Sequence, residues 1–162
     1  MPDLTVVCNT SPLYYLHQIG RLDLLRRLYQ WVVVPQAVRD ELDAGARAGY
    51  DVPNLSDATW IRVRSVSDVV AIPTVGGLGR GEAEVIALGR ELPHSLLVLD
   101  DELARRVDDG WRLRYTGTLG VLVVARRSGH LASVGVAVDE LRNKGMWLSD
   151  RVVCEAIRLA GE

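Results

Sequence analysis

The sequence predicts an α/β protein, a three-layer α/β/α sandwich on a mostly parallel central sheet, and three observations lead there. Val6-Val7-Cys8, Trp31-Val32-Val33-Val34 and Leu96-Leu97-Val98-Leu99 are short continuous apolar runs, the signature of strands covered on both faces. These runs alternate with stretches of helical spacing, which argues for parallel strands joined by crossover helices. Oxygen-bearing side chains follow two of the runs directly, Asn9-Thr10-Ser11 and Asp100-Asp101. Open α/β sheets form their sites beyond the carboxyl ends of such strands.

Taken in order, residues 4–8 read as a central strand. Ser11-Pro12 then starts a helix, with a hydroxyl cap and proline at the first position. Gly20 separates it from a second helix over 21–29, where Leu22, Leu25 and Leu28 recur at helical spacing. Residues 31–34 form a second strand, and Pro35 starts a helix to about residue 47 that Gly49 ends. Residues 49–79 hold Pro53, Pro73, Gly76, Gly77 and Gly79, with one strand candidate at 60–63. So long an irregular stretch in a compact domain marks a functional or moving loop. A helix over 81–92, a strand over 96–99, a helix over 101–107, a strand over 112–115 and a helix over 117–127 follow. Two closing helices span 134–142 and 149–159, and no repeat or linker divides the chain, so residues 1–162 make one domain.

The bulk numbers exclude several classes. A chain of 162 residues, 48% hydrophobic and 25% charged, suits one globular domain with a sizeable core. The net charge of -2 gives no whole-chain electrostatic signature for nucleic acid, although net charge does not report local patches. Cys8 and Cys154 are far apart with no C-x-x-C, and Cys8 lies inside an apolar strand as a small hydrophobe. A disulfide framework and a structural zinc site are therefore not expected. The chain shows no signal-peptide pattern and no apolar run of membrane-spanning length, so the default expectation is a cytoplasmic protein without membrane contact.

Five residues carry the chemical expectation, each with a plainer alternative. Asn9 offers a neutral amide oxygen at the sheet's carboxyl edge, or caps the following helix. Glu41 lies in the row Ala37, Glu41, Gly45, beside the buried stripe Val34, Val38, Leu42; such a border glutamate is ordinarily solvated or ion-paired. Glu82 shares a face with Val85, Ile86 and Gly89, or simply complements the dipole of its helix. Asp100-Asp101 place at least one carboxylate in the crevice beyond a buried strand, while one of the two can cap the next helix. Adjacent like charges cost stability unless protonated or bridged by a cation, and magnesium suits oxygen ligands of this kind. Thr116-Gly117-Thr118 stands at the same edge, as a phosphate holder or an ordinary cap. His17, His94 and His130 suggest no shared geometry, and Arg105-Arg106 and Arg126-Arg127 are solvated faces or grips for a phosphate backbone.

With Asn9, Glu41, Glu82 and Asp101 in this order, the sequence resembles the PIN-domain nucleases, in a branch related to the VapC toxins of toxin–antitoxin pairs. The matching stretches are VVCNTSPLYYLHQIGRLDLL, VVVPQAVRDEL, GRGEAEVIALGREL, LLVLDDELAR and TGTLGVLVVARRSG, spanning residues 6–129. The resemblance implies acids that bind Mg2+ or Mn2+ while water attacks a phosphodiester, usually in RNA. By position, Asn9 takes the first acid, Glu41 the second, Glu82 the third and Asp101 the fourth. Asp100 is the alternative to Asp101, and a slip of two residues gives the third role to Glu84. Ser11 matches a small hydroxyl residue that supports the first position. Asn9 departs from the family's aspartate, and its neutral amide should lower cation affinity.

The expected function is thus a metal-dependent ribonuclease with an RNA substrate, an antitoxin protein as a partner and a homodimeric state. Tyr14, Tyr15 and Leu131 are the apolar candidates for a dimer contact. The alternative is a catalytically weak or inactive PIN-like module that binds nucleic acid or a protein. A response-regulator receiver or an aspartyl-phosphate phosphatase fits worse: the first strand lacks the receiver's acid pair, and Asn9 cannot serve as the phosphatase's nucleophilic aspartate. No P-loop or G-x-G-x-x-G indicates a nucleotide cofactor.

Overall fold

Strands of three or four residues, rich in valine and leucine, need cover on both faces, and the helices supply it. The computed structural model describes residues 4–107 and 112–162. The described residues include five strands, β1 (Thr5–Cys8), β2 (Val32–Pro35), β3 (Ile61–Arg64), β4 (Ser95–Val98) and β5 (Arg114–Thr116). They form one sheet in the order β3-β2-β1-β4-β5, and every pairing is parallel. Val7 pairs with Val33 on one side, and Cys8 pairs with Val98 on the other.

The helices are α1 (Thr10–Gln18), α2 (Asp23–Tyr29), α3 (Gln36–Arg47), α4 (Arg80–Glu91), α5 (Glu102–Val107), α6 (Thr118–Arg127), α7 (Val134–Asn143) and α8 (Asp150–Leu159). α4 lies against β1, β2 and β4, while α6 packs with α1, α2, α7 and α8. The result is the expected three-layer sandwich. α3 touches both α1 and α4. Gly89 lets α4 settle on the sheet, since a Cβ there would stand 2.7 Å from a Leu97 methyl. The main core gathers Val6, Val7, Leu16, Val34, Leu97 and Leu122, all at 1% exposure or less.

The order of strands positions the site. From β1 the chain steps outward to β2 and β3, then returns through α4 to β4 on the other side of β1. The reversal falls between β1 and β4. Beyond their carboxyl ends lies the topological switch point where open sheets bind ligands.

Several boundaries differ from the sequence expectation. α1 starts at Thr10 with Asn9 as its extended N-cap (φ -84, ψ 171), so Pro12 is the third helical residue rather than the first. Its missing N–H is still one of the first four that a helix leaves unpaired, so the helix loses nothing. Pro35 closes β2 and caps α3 instead of starting it. Residues 49–79 contain β3 and a single 3-10 turn, Val69–Ala71. Leu131, expected at a dimer surface, is 4% exposed and belongs to the core of the single chain. Among the described residues no helix is long and apolar enough to cross a membrane.

Candidate metal centre

Asn9 follows β1 directly, its backbone N–H donating to the Val98 carbonyl at 3.0 Å. It occupies the N-cap position of α1 but makes no capping bond with its side chain. The residue is 3% exposed, and its Oδ1 has no hydrogen-bond partner. A buried carbonyl oxygen without a partner costs about 1–3 kcal/mol. A cap is therefore not why this amide is here.

Glu41 reaches the same place from α3. Its Oε1 accepts the Gly81 backbone N–H at 3.0 Å, and its Oε2 accepts a short bond from the Thr10 hydroxyl. Gly81 lies in the first turn of α4, where N–H groups lack intrahelical partners. A Cβ at that position would stand 2.7 Å from Glu41 Oε1 and 3.0 Å from Asn9 Oδ1. The glycine thus leaves room for the carboxylate and the amide to meet. Helix α3 carries Glu41 on the border of its buried face, beside Val38 and Leu42.

Asp100 follows β4 across the switch point. Its Oδ2 accepts the Thr118 hydroxyl at 2.7 Å and the Ser11 hydroxyl at 3.2 Å, while Oδ1 accepts the Thr118 N–H at 2.8 Å. One carboxylate therefore joins the starts of α1 and α6. Ser11 meets this acid rather than Asn9. Burial, with a smaller contribution from the Asp100 charge, pushes the Cys8 thiol up, so that thiol stays neutral inside β1.

The remaining candidates have other partners. Asp101 Oδ1 accepts the Ala104 N–H at 2.9 Å and caps α5. Of the acidic pair, the first therefore faces the crevice and the second serves its helix. Glu82 stands in the first turn of α4 with its carboxylate folded over Gly79, where a Cβ would meet Oε2 at 2.2 Å. Glu84 is 7% exposed and ties helices together: Oε1 accepts the Ala37 N–H at 3.1 Å, and Oε2 accepts from Arg80 at 3.2 Å. Thr116 bonds through its backbone to Leu99, with its hydroxyl packed over Gly120. Thr10 and Gly81, which sequence reasoning did not single out, hold the Glu41 carboxylate, while Thr118, read from the sequence as a phosphate holder or cap, holds Asp100. A threonine or glycine at a helix start carries no signal of its partner 18 to 40 residues away.

Among the described residues no three acidic, histidine or cysteine side chains converge tightly enough to hold an ion by themselves. Of the expected set Asn9, Glu41, Glu82 and Asp101, the structure brings Asn9 and Glu41 together around Gly81, and Ser11, Asp100 and Thr118 form an adjoining group. Adjacent β1 and β4 bring them side by side. All donors are oxygens, one of them an orphaned buried amide, which fits a hard divalent cation. Magnesium is typically held by one or two carboxylates and completes its shell with water and substrate phosphate.

A doubly wound α/β sheet with an oxygen-donor site at its switch point defines the class of protein. A family model described as a PIN domain matches residues 5–162, and the chain belongs to that family. PIN domains are generally nucleases. No curated protein and no solved structure matches the chain.

Proposed function

We propose that this PIN domain is a metal-dependent endoribonuclease that hydrolyses RNA phosphodiester bonds with Mg2+ or Mn2+. The observation that carries the proposal is the buried, partnerless Oδ1 of Asn9 beside the Glu41 carboxylate at the switch point. A divalent cation bound there supplies positive charge against the scissile phosphate and lowers the pKa of an attacking water. Asn9 contributes a neutral oxygen, and Glu41 contributes charge while Thr10 and Gly81 fix its orientation. Asp100 contributes the second carboxylate, held by Ser11 and Thr118. Glu82, whose carboxylate lies over Gly79, would add negative charge to the cation directly or through water, and Asp101 acts by setting the start of α5 next to Asp100.

The test is cleavage of a generic single-stranded RNA with manganese by the wild type, Glu41→Gln, Asp100→Asn and Asp101→Asn. Glu41→Gln and Asp100→Asn should each lose roughly a hundredfold or more in rate, the scale for removing one electrostatic contributor. Asp101→Asn should retain most activity, since an asparagine still caps a helix. Equal rates for all four proteins would remove these residues from the chemistry. An antitoxin that covers the site, a cytoplasmic location and a homodimer complete the proposal, and the last is read by light scattering of the purified chain.

A second reading is a PIN-like module without efficient catalysis. Asn9 favours it, because a neutral amide replaces a charge and no three acids gather among the described residues. Under that reading, millimolar manganese or magnesium would leave the melting temperature unchanged, since only a ligand that binds the folded state raises it.

A further inference from the structure

A cavity of about 600 Å³ begins at the proposed centre and ends elsewhere. Asp100, Arg105 and Gly117 line one side, and Met146, Trp147 and Leu148 line the other. The loop between α7 and α8 supplies this second wall. Its backbone is pinned, with the Met146 N–H on the Leu141 carbonyl at 3.1 Å and Arg142 donating to the Leu148 carbonyl at 2.8 Å. Ser149 then caps α8 through the Val152 N–H. Met146 and Leu148 pack against the core, yet Trp147 between them is 85% exposed. A large aromatic left in water on a fixed backbone contributes little to the stability of the folded chain.

We infer that Trp147 is a stacking platform for one unpaired nucleobase of single-stranded RNA, next to the phosphate at Asp100. This rests on the ribonuclease reading and deepens it. Single-stranded RNA is recognised by aromatic side chains on which splayed bases stack, with cationic groups along the backbone. The cavity offers both in one span, the indole on one wall and the Arg105 guanidinium on the other. Arg105 is fixed by two donations to the Leu99 carbonyl, at 2.8 and 3.0 Å, so it stands at the mouth of the proposed centre. Met146 and Leu148, packed against the core on either side of Trp147, hold the loop that carries the indole. A base resting there leaves its flanking phosphate on the Asp100 side.

The experiment uses a fluorescently labelled eight-nucleotide single-stranded RNA and a set with one abasic position each, bound in EDTA so that nothing is cut. Trp147→Ala should weaken binding of the intact RNA about tenfold, and Trp147→Phe should stay within about threefold of the wild type. One abasic position should weaken wild-type binding by a similar factor but leave Trp147→Ala nearly unchanged, a coupling that a merely structural role would not produce. The melting temperature of Trp147→Ala should match the wild type. Equal binding by wild type and Trp147→Ala, or additive losses at every abasic position, overturns the stacking site. So does an absence of wild-type binding in EDTA. The nuclease reading is judged separately, by manganese-dependent cleavage with the same intact RNA.

Discussion

At the scale of single residues, Gly81 separates the site from the scaffold. Its φ is ordinary for a helix, so alanine suits the backbone and should gain the usual helix preference of about 1 kcal/mol over glycine. The added Cβ would stand 2.7 Å from the end of the flexible Glu41 side chain, which would swing away. Gly81→Ala should therefore melt close to the wild type, the helix gain offsetting the lost bonds of Thr10 and Gly81 to Glu41, while losing at least tenfold in RNA cleavage. Unchanged cleavage would mean that Glu41 does not need its present orientation. Helical spacing in the sequence already set Glu41 on the border of its buried face. The choice between Asp100 and Asp101 was hidden, because adjacent carboxylates after a strand differ only in which one the next helix claims. The Ala104 N–H claims Asp101.

Elements were legible wherever an apolar run or a helical row was long enough, as in β1, β4 and α4. Their edges were not. Ser11-Pro12 looks like a cap and first turn, but Asn9 takes the cap because the strand ends one residue before it. Gly89 gives a direct test of how α4 sits on β4. Gly89→Val should destabilise by about 1–3 kcal/mol through overpacking against Leu97 and Leu113, read by chemical denaturation. At the other end of the molecule, Glu162 anchors the start of α7, accepting from the Val134 N–H at 2.6 Å and the Ser133 hydroxyl at 2.8 Å. The Val134 N–H above all holds the Glu162 carboxyl below its ordinary value near 4.5, against a smaller opposing effect of desolvation. A lowered folded-state value means that the stabilisation is fully present above pH 4.5 and is lost as pH falls through the lower value. The stability gap between wild type and Glu162→Gln should thus narrow from pH 6 toward pH 3. A gap that widened on acidification would contradict this assignment.

Across the whole molecule, the parallel sheet and its covering helices followed from the alternation of short apolar runs with helical rows. The convergence of acids did not follow so simply. Spacing along each segment set the faces, but which hydroxyl or amide meets each carboxylate depends on contacts across 18 to 89 residues of chain. Under the proposed function, Asn9 and Glu41 share a divalent cation at the junction of β1 and β4. Asn9→Asp tests it most directly, through melting temperature in EDTA and in millimolar Mn2+. Without metal, the new carboxylate is buried beside Glu41, and desolvation with like-charge repulsion should lower the melting temperature below that of the wild type. With manganese the order should reverse, because the added charge strengthens a hard-cation site. If manganese shifts neither protein, or stabilises Asn9→Asp no more than the wild type, no cation is shared at that junction.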